Sequence, residues 1–138
     1  MIYRIIGVVL VILIVVIAAL WKAIDERSKD VRQLNRFAAA GNSQAPRMID
    51  PVTRLDSVSV EFPAVVFHYT LLLPTSEVDV AKVKENNISW FKINACENTE
   101  VMKSVLEPGY KIVRSYQDIE RNHIFRMSLG SGVCSQNS

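Results

Sequence analysis

One apolar run, from Ile5 to Trp21, limits the fold more than any other feature of the sequence. It reads IIGVVLVILIVVIAALW and contains no charged residue. A helix rises about 1.5 Å per residue, so this run and its apolar neighbours approach the roughly 30 Å hydrocarbon core of a bilayer. The run therefore predicts one transmembrane helix in residues 1–23. The predicted membrane-anchor residues are Ile5, Leu10, Leu13, Val16, Leu20 and Trp21.

A cleaved signal peptide is the alternative interpretation of the same run. Arg4 supplies a minimal positive region before the apolar core. Signal peptides end in a cleavage site of small residues, whereas the triplets here contain a bulky Leu or Trp, as in Ala18-Ala19-Leu20. We therefore expect the segment to be retained as an anchor.

The charges on either side of the run favour one membrane orientation. Only Arg4 and the amino terminus precede it, and five basic residues follow within a short distance: Lys22, Arg27, Lys29, Arg32 and Arg36. Because basic residues are enriched on the cytoplasmic side of membranes, this count predicts a cytoplasmic location for the following segment. Long domains can cross the membrane regardless of such charges, so the prediction is open to revision from the cysteines.

An apolar stripe continues beyond the run and predicts a juxtamembrane helical stalk in residues 24–40. Its members recur near helical spacing: Ile24, Val31, Leu34, Phe37 and Ala38. Gly41 and Asn42 are typical of a helix C-terminus. Val31, Leu34 and Phe37 are candidate contacts for a partner helix or a second copy of the chain. A helix packed on its own domain or on lipid headgroups is the favoured alternative.

The remaining sequence predicts a small α+β domain in residues 53–138, after a linker in residues 41–52 that contains Pro46 and Pro51. Period-two alternation predicts strands, and helical spacing predicts two helices between them. The expected elements are strands at 53–62 and 64–73, helices at about 76–93 and 98–106, and a hairpin at 110–129. This ββααββ order predicts a four-stranded antiparallel sheet with helices on one face.

The two longest strand patterns also predict which side chains share a face. In 64–73, Phe67, Tyr69 and Leu71 alternate with His68 and other residues, which indicates a central strand with one face in the core. In 53–62, alternation assigns Leu55 and Val58 to opposite faces of the sheet.

Cys96 and Cys134 are the only cysteines. A disulfide between them would stabilise the domain by roughly 4 kcal/mol in the chain-entropy model, because it closes a long loop. We predict this bridge, which indicates an oxidising compartment and therefore opposes the orientation given by the charge count. Two reduced, unrelated buried thiols are the alternative.

The titratable side chains do not form a recognisable catalytic or metal motif. Cys96, Cys134, His68 and His123 are suitable metal ligands, but they lack the close pairs that mark zinc sites. A cysteine nucleophile with His123 as base and Asp118 as orienting group lacks a nucleophile elbow or an oxyanion loop. We therefore expect no catalytic residue, no metal and no cofactor. The net charge of +2 is also too small to indicate nucleic-acid binding.

Aromatic residues are the remaining candidates for a binding surface. They comprise Tyr69, Tyr110, Tyr116, Trp90 and Phe91. Aromatics on strands and helices are more often part of the core, which is the favoured interpretation here. The triplet Asn87-Ile88-Ser89 matches a glycosylation acceptor, but it lies inside a predicted helix and we expect it to be unused.

The predicted plan of anchor, helical stalk and small two-cysteine α+β domain resembles that of many small bacterial envelope proteins, although no specific motif carries the resemblance. It predicts a non-enzymatic, single-pass protein of the inner membrane whose periplasmic domain binds another protein in an accessory, assembly or immunity role. One alternative is a ligand-binding or enzymatic domain that uses His68, His123 or the cysteines. Another is a scaffold that self-associates through the juxtamembrane helix.

Overall fold

The computed structural model describes residues 2–135, except for the side chains of residues 2–6 and 8. The helices are α1 (Ile2–Asn42), α2 (Val80–Asn94), α3 (Thr99–Val101, continued by a π-helical turn at Met102–Leu106) and α4 (Ser131–Cys134). The strands are β1 (Arg47–Asp50), β2 (Thr53–Glu61), β3 (Ala64–Leu71), β4 (Lys111–Gln117) and β5 (His123–Leu129). A 3₁₀ turn at Thr75–Glu77 precedes α2.

The chain divides into two compact units, residues 1–33 and 34–138. The first unit lies within α1, and the described apolar side chains from Val9 to Trp21 are exposed along it. Charged residues follow Trp21 in the same helix. Within the described part of the chain, no helix is long and apolar enough to span a bilayer, so the structure does not support the predicted transmembrane anchor. Among the predicted anchor residues, the side chain of Ile5 lies outside the described residues.

The second unit contains one five-stranded sheet in the order β1-β2-β3-β4-β5. β3 is central, as its apolar alternation predicts. The prediction of four strands is wrong, because β1 forms within the segment that was predicted to be a linker. All four residues of β1 are exposed and it lies at the sheet edge, so it carries no apolar alternation by which it could be recognised.

The prediction of a purely antiparallel sheet is also wrong. β3 and β4 are parallel, with Ala64 opposite Lys111 and Thr70 opposite Gln117, whereas the other three pairs are antiparallel. The chain between β3 and β4 contains α2 and α3. This connection is long enough to return the chain to the end of the sheet where β3 begins. β4 therefore starts beside the first residue of β3 and runs in the same direction.

A bulge in β2 reverses, for the second half of the strand, which side chains point to the core face of the sheet. Leu55 is opposite Tyr69 and Ser57 is opposite His68, so Asp56 is the extra residue. Because one inserted residue reverses the alternation, Leu55 and Val58 both point into the core, in contrast to the predicted alternation. Asp56 is held at the bulge by Thr70, whose Oγ1 donates to Asp56 Oδ2 at 2.5 Å.

The main core lies between the helices and one face of the sheet. Leu34 of α1, Phe91 of α2, and Val105 and Leu106 after α3 are buried there against β-strand side chains. The strand residues in this core include Leu55, Val58, Val65, Tyr69, Leu71, Ile112, Tyr116 and Phe125. The alternate positions Ala64, Val66 and Val113 form a small separate cluster. The α+β class and the placement of helices against one face therefore agree with the sequence.

α1 ends at the Gly41–Asn42 pair that the sequence indicated. The Asn42 side chain donates to Val58 O at 2.6 Å and accepts from Val58 N at 2.7 Å, as a neighbouring strand would. Gly41 lies so close to β2 that a Cβ there would be 2.8 Å from Val58 Cγ2. A glycine is therefore required for the helix end to approach the sheet.

Cys96 and Cys134 form the predicted disulfide. Cys96 follows α2 and Cys134 is the last residue of α4, which itself follows β5. The bridge closes a sequence separation of 38 residues and joins the helical layer to the chain after the edge strand.

Candidate partner-binding cleft

An open cleft of about 740 Å³ lies between α2 and strands β1 to β4. α2 contacts β5 and α4, so it covers one side of the packed face and leaves the side nearer β1 uncovered. The strands supply Leu55, Leu71 and Ile112, and α2 supplies Val83. The interior of the cleft is therefore largely apolar.

Three apolar side chains at the cleft are exposed. Ile49 of β1 is 47% exposed, Val52 in the β1–β2 turn is 40% exposed, and Trp90 of α2 is 48% exposed. They line a concave surface from both sides. Exposed apolar groups around a cleft are typical of a surface that a partner covers.

Arg114 of β4 lines the cleft and is only 8% exposed. Its Nη1 donates to Asn87 Oδ1, and its Cζ lies 4.2 Å from the centroid of the Trp90 ring and 5.5 Å from that of Tyr69. Its Nε has no hydrogen-bond partner among the described residues. The salt bridges of the described residues do not include Arg114.

Asn87 of α2 holds this arrangement together. Its Oδ1 accepts from Arg114 and also from the Tyr116 hydroxyl at 2.7 Å, while its Nδ2 donates to Val83 O at 2.7 Å. Both ends of the buried amide are therefore engaged. The sequence indicated Asn87 only as part of a glycosylation acceptor triplet. Asn87 lies four residues before Phe91 and therefore on the same, inward face of α2. A polar residue at such a position is the sequence signal for a buried hydrogen-bonding site.

Tyr69 and Tyr116 stack side by side, with ring centroids 4.9 Å apart. Burial raises the pKa of both hydroxyls, and the nearby positive charge of Arg114 opposes this increase. Both phenols therefore stay protonated near neutral pH, and the Tyr116 hydroxyl donates to Asn87 Oδ1. The sequence assigned these aromatics to the core, and the structure places them both in the core and along the cleft.

The candidate catalytic and metal-binding residues do not meet at the cleft. His68 Nε2 forms a 2.8 Å hydrogen bond with Ser59 Oγ on the opposite face of the sheet, and His123 is exposed at the start of β5. The two cysteines are bonded to each other. Among residues 2–135, no group of three metal-binding side chains could hold a metal ion.

Asp118, the proposed orienting carboxylate, has a role in the β4–β5 turn. It accepts from Asn122 Nδ2 at 3.0 Å, from Thr75 Oγ1 at 2.7 Å, and from the backbone N–H groups of Glu120 and Asn122. These hydrogen bonds, led by that from the Asn122 side chain, lower the pKa of Asp118 to about 2. The carboxylate therefore ties the turn to the segment before α2.

The candidate partner-contact residues of the juxtamembrane helix lie in different places. Leu34 is fully buried in the core, and Phe37 packs edge-to-face on Phe67 with ring centroids 6.4 Å apart. Val31 is half-buried in the first unit. The alternative interpretation, a helix packed on its own domain, describes Leu34 and Phe37.

Solved structures with the same fold include a candidate secreted protein of Pseudomonas aeruginosa and two pilotins of type 2 secretion systems. The Pseudomonas protein gives a TM-score of 0.65 at 17% identity, over 77% of this chain and 93% of that chain. EpsS of Vibrio vulnificus gives 0.62 at 15% identity, over 80% and 94% of the two chains. AspS of Vibrio cholerae gives 0.59 at 14% identity, over 78% and 94%. No family model and no curated protein matches the sequence.

Proposed function

We propose that this protein is a non-enzymatic accessory component of a bacterial envelope assembly, and that residues 34–138 bind a segment of another protein in the cleft. The observation that carries the proposal is the open apolar cleft flanked by exposed Ile49, Val52 and Trp90. The fold shared with pilotins of type 2 secretion systems supports an accessory role. The disulfide supports a location outside the cytosol.

The enzymatic alternative lacks such support. Neither His68 nor His123 lines the cleft, and the disulfide consumes both thiols. A catalytic site needs a nucleophile or base beside a cavity that holds the substrate. The self-association alternative rests on Ile24 and Val31, because Leu34 and Phe37 are engaged within the second unit.

Site-specific photocrosslinking in intact cells tests the cleft as the binding site. A benzoylphenylalanine residue is placed at Val52 or Trp90, which line the cleft, or at Ile93, which is 61% exposed on the same helix but does not line it. We expect one discrete adduct from Val52 and Trp90 and none from Ile93. Mass spectrometry of the adduct should identify an envelope protein.

Two outcomes would contradict the proposal. Adducts of equal yield from Ile93 and Trp90 would show a surface that contacts proteins without using the cleft. Adducts only with cytosolic proteins would remove the envelope assignment, and the charge-based orientation would then be preferred.

Membrane anchoring through residues 1–23 is a further part of the proposal. It is supported by the sequence alone, through the uncharged run from Ile5 to Trp21, since an apolar stretch of this length needs cover. In cell fractionation with alkaline carbonate, the chain should stay with the membranes. Replacing Leu13 and Val16 with Arg should release it, and release of the unmodified chain would contradict the anchor. Replacing Lys22 and Arg27 with Gln is the control, which should stay bound.

A further inference from the structure

Arg114 is a buried cation without a counter-ion in the part of the chain that the structure describes. It is 8% exposed, and the described ion pairs join other residues. Taking a guanidinium out of water costs several kcal/mol unless a negative charge or a full set of hydrogen bonds compensates it. Guanidinium groups also keep their charge throughout the physiological pH range. Arg114 is therefore a buried cation that forms no ion pair with the described walls of the cleft.

The contacts that Arg114 does make are partial compensation. Nη1 donates to one neutral acceptor, Asn87 Oδ1, which also accepts from the Tyr116 hydroxyl, and that hydroxyl is itself a second neutral hydrogen-bond partner of Arg114. The faces of the Trp90 and Tyr69 rings attract the cation, which is worth about 0.5–2 kcal/mol for such contacts. Nε remains without an acceptor. These contacts hold the guanidinium in a fixed place and leave donor capacity unused.

The carboxylates that line the cleft are occupied elsewhere or lie beyond ion-pair distance. Asp50 Oδ1 accepts from Val52 N at 2.9 Å, and Asp79 Oδ1 caps α2 by accepting from Lys82 N at 3.0 Å. Glu77 also lines the cleft and forms no ion pair with Arg114. Tyr69, whose ring lies 5.5 Å from Arg114 Cζ, also lines the cleft, and its hydroxyl is a second potential donor there.

We propose that the partner segment carries an Asp or Glu side chain, within an otherwise apolar stretch, that pairs with Arg114 in the cleft. This inference rests on the proposed function and specifies the chemistry of the partner. The apolar lining covers the occupant, and the buried guanidinium with the Tyr69 hydroxyl recognises the carboxylate. Apolar side chains from separate elements, Ile49 of β1 and Val101 of α3, line the cleft together with Arg114. We therefore place the acid on a side chain of the segment that occupies the cleft.

The test selects 12-residue random peptides on the full chain in detergent micelles and then synthesises the binders with blocked ends. Cleft binders are those whose affinity falls with Trp90→Ala and stays unchanged with Ile93→Ala. We expect them to carry one Asp or Glu among apolar residues. Replacing that residue with Asn or Gln should weaken binding to the unmodified protein about thirtyfold or more, as for other buried charge pairs.

A double-mutant cycle assigns the acid to Arg114. In Arg114→Met, the acidic peptide and its amide counterpart should bind with equal affinity, because the cation that distinguishes them is gone. Arg126→Met is the control, since Arg126 pairs with Glu61 away from the cleft and should leave the thirtyfold difference intact. If Arg114→Met fails to fold, the change in affinity when the acid of the peptide is replaced with its amide tests the inference by itself.

Three results would overturn the inference. Cleft binders without an acid, or an amide substitution that changes affinity less than twofold, would refute the carboxylate while leaving the cleft as the binding site. Binding restricted to peptides with a free C-terminal carboxylate would refute the side-chain source. Binders that Trp90→Ala does not weaken would refute the proposed function and the inference with it.

Discussion

Phe91 and Trp90 are neighbours on α2, yet they belong to two regions that differ in packing. Phe91 is fully buried in what we call the closed region, together with Val105 and Leu106. Trp90 lies at the cleft and is half exposed. One helix therefore stabilises the domain through one residue and presents a binding surface through the next.

The two regions also differ in polarity. The closed region is apolar, and the Cys96–Cys134 disulfide borders it. The cleft contains Arg114, held by Asn87 and by aromatic rings. Buried polar groups lower stability unless they are paired. We therefore expect stability to depend mainly on the closed region and partner binding on the cleft.

Phe91→Ala gives the largest expected effect and tests the closed region directly. Removing a fully buried ring leaves a cavity, so the free energy of unfolding should fall by about 3–5 kcal/mol. Urea denaturation of the full chain in detergent, followed by tryptophan fluorescence, measures this loss. A loss below about 1 kcal/mol would mean that the closed region does not carry the stability.

Removing the disulfide by the double change Cys96→Ser and Cys134→Ser should have the next largest effect. The bridge restrains 38 residues of separation in the unfolded chain, and its loss should cost roughly 2–4 kcal/mol. The melting temperature of the double variant should match that of the reduced parent protein. Equal melting temperatures for the oxidised parent and the variant would contradict the prediction.

Gly41→Ala tests the close approach of α1 to β2. The added Cβ would meet Val58 Cγ2 at 2.8 Å, so the helix end must move, at a cost of about 1–3 kcal/mol. Adding Val58→Ala in the same chain should recover part of this loss, because it removes the clashing methyl group. Denaturant midpoints of the three variants measure the effect. If Gly41→Ala instead stabilised the protein, the end of α1 would have to lie farther from β2 than the structure places it.

Acid should weaken the link between the β4–β5 turn and the segment before α2. The pKa of Asp118 is about 2 in the folded protein, below its usual 3.8, so the carboxylate stabilises the fold at higher pH. This contribution is complete above about pH 4 and is lost as the pH falls towards 2. Asp118→Asn should lower the melting temperature by several degrees at pH 7 and much less at pH 2. An equal decrease at both pH values would contradict this assignment.

Trp90→Ala should have the smallest effect on stability and separates the two regions most clearly. It removes a half-exposed ring and its contact with Arg114, so the free energy of unfolding should fall by less than about 1 kcal/mol. Crosslinking from Val52 to the partner should nevertheless disappear. A stability loss as large as that of Phe91→Ala would remove the distinction between the closed region and the cleft.

The sequence predicted the parts of the domain that local patterns encode. Period-two alternation located β3 as the central strand, and Gly41–Asn42 marked the end of α1. It failed at β1, which is short, exposed and lacks alternation. It failed again at Asp56, because a bulge depends on what the neighbouring strand accepts, here a hydrogen bond from Thr70.

The candidate site was even less accessible to sequence reasoning. Tyr69, Tyr116 and Trp90 were identified as aromatic candidates, but Arg114 and Asn87 were not. These two residues lie 27 positions apart, and nothing near either of them in sequence marks the contact. Asn87 and Arg114 meet only because α2 packs on the sheet and the connection through α3 leads into β4 beneath it.

The sequence by itself determined the α+β class, a helix end near the Gly41–Asn42 stop signal, the residues that form the disulfide and the uncharged run at Ile5–Trp21, because each depends on residue type and local spacing. The tertiary structure decided the fifth strand, the parallel pairing of β3 with β4, and the cleft with its buried Arg114. These features depend on which distant segments meet. The meeting of these segments is determined by the path of the connections and by which surfaces are buried together, and local sequence patterns do not encode either.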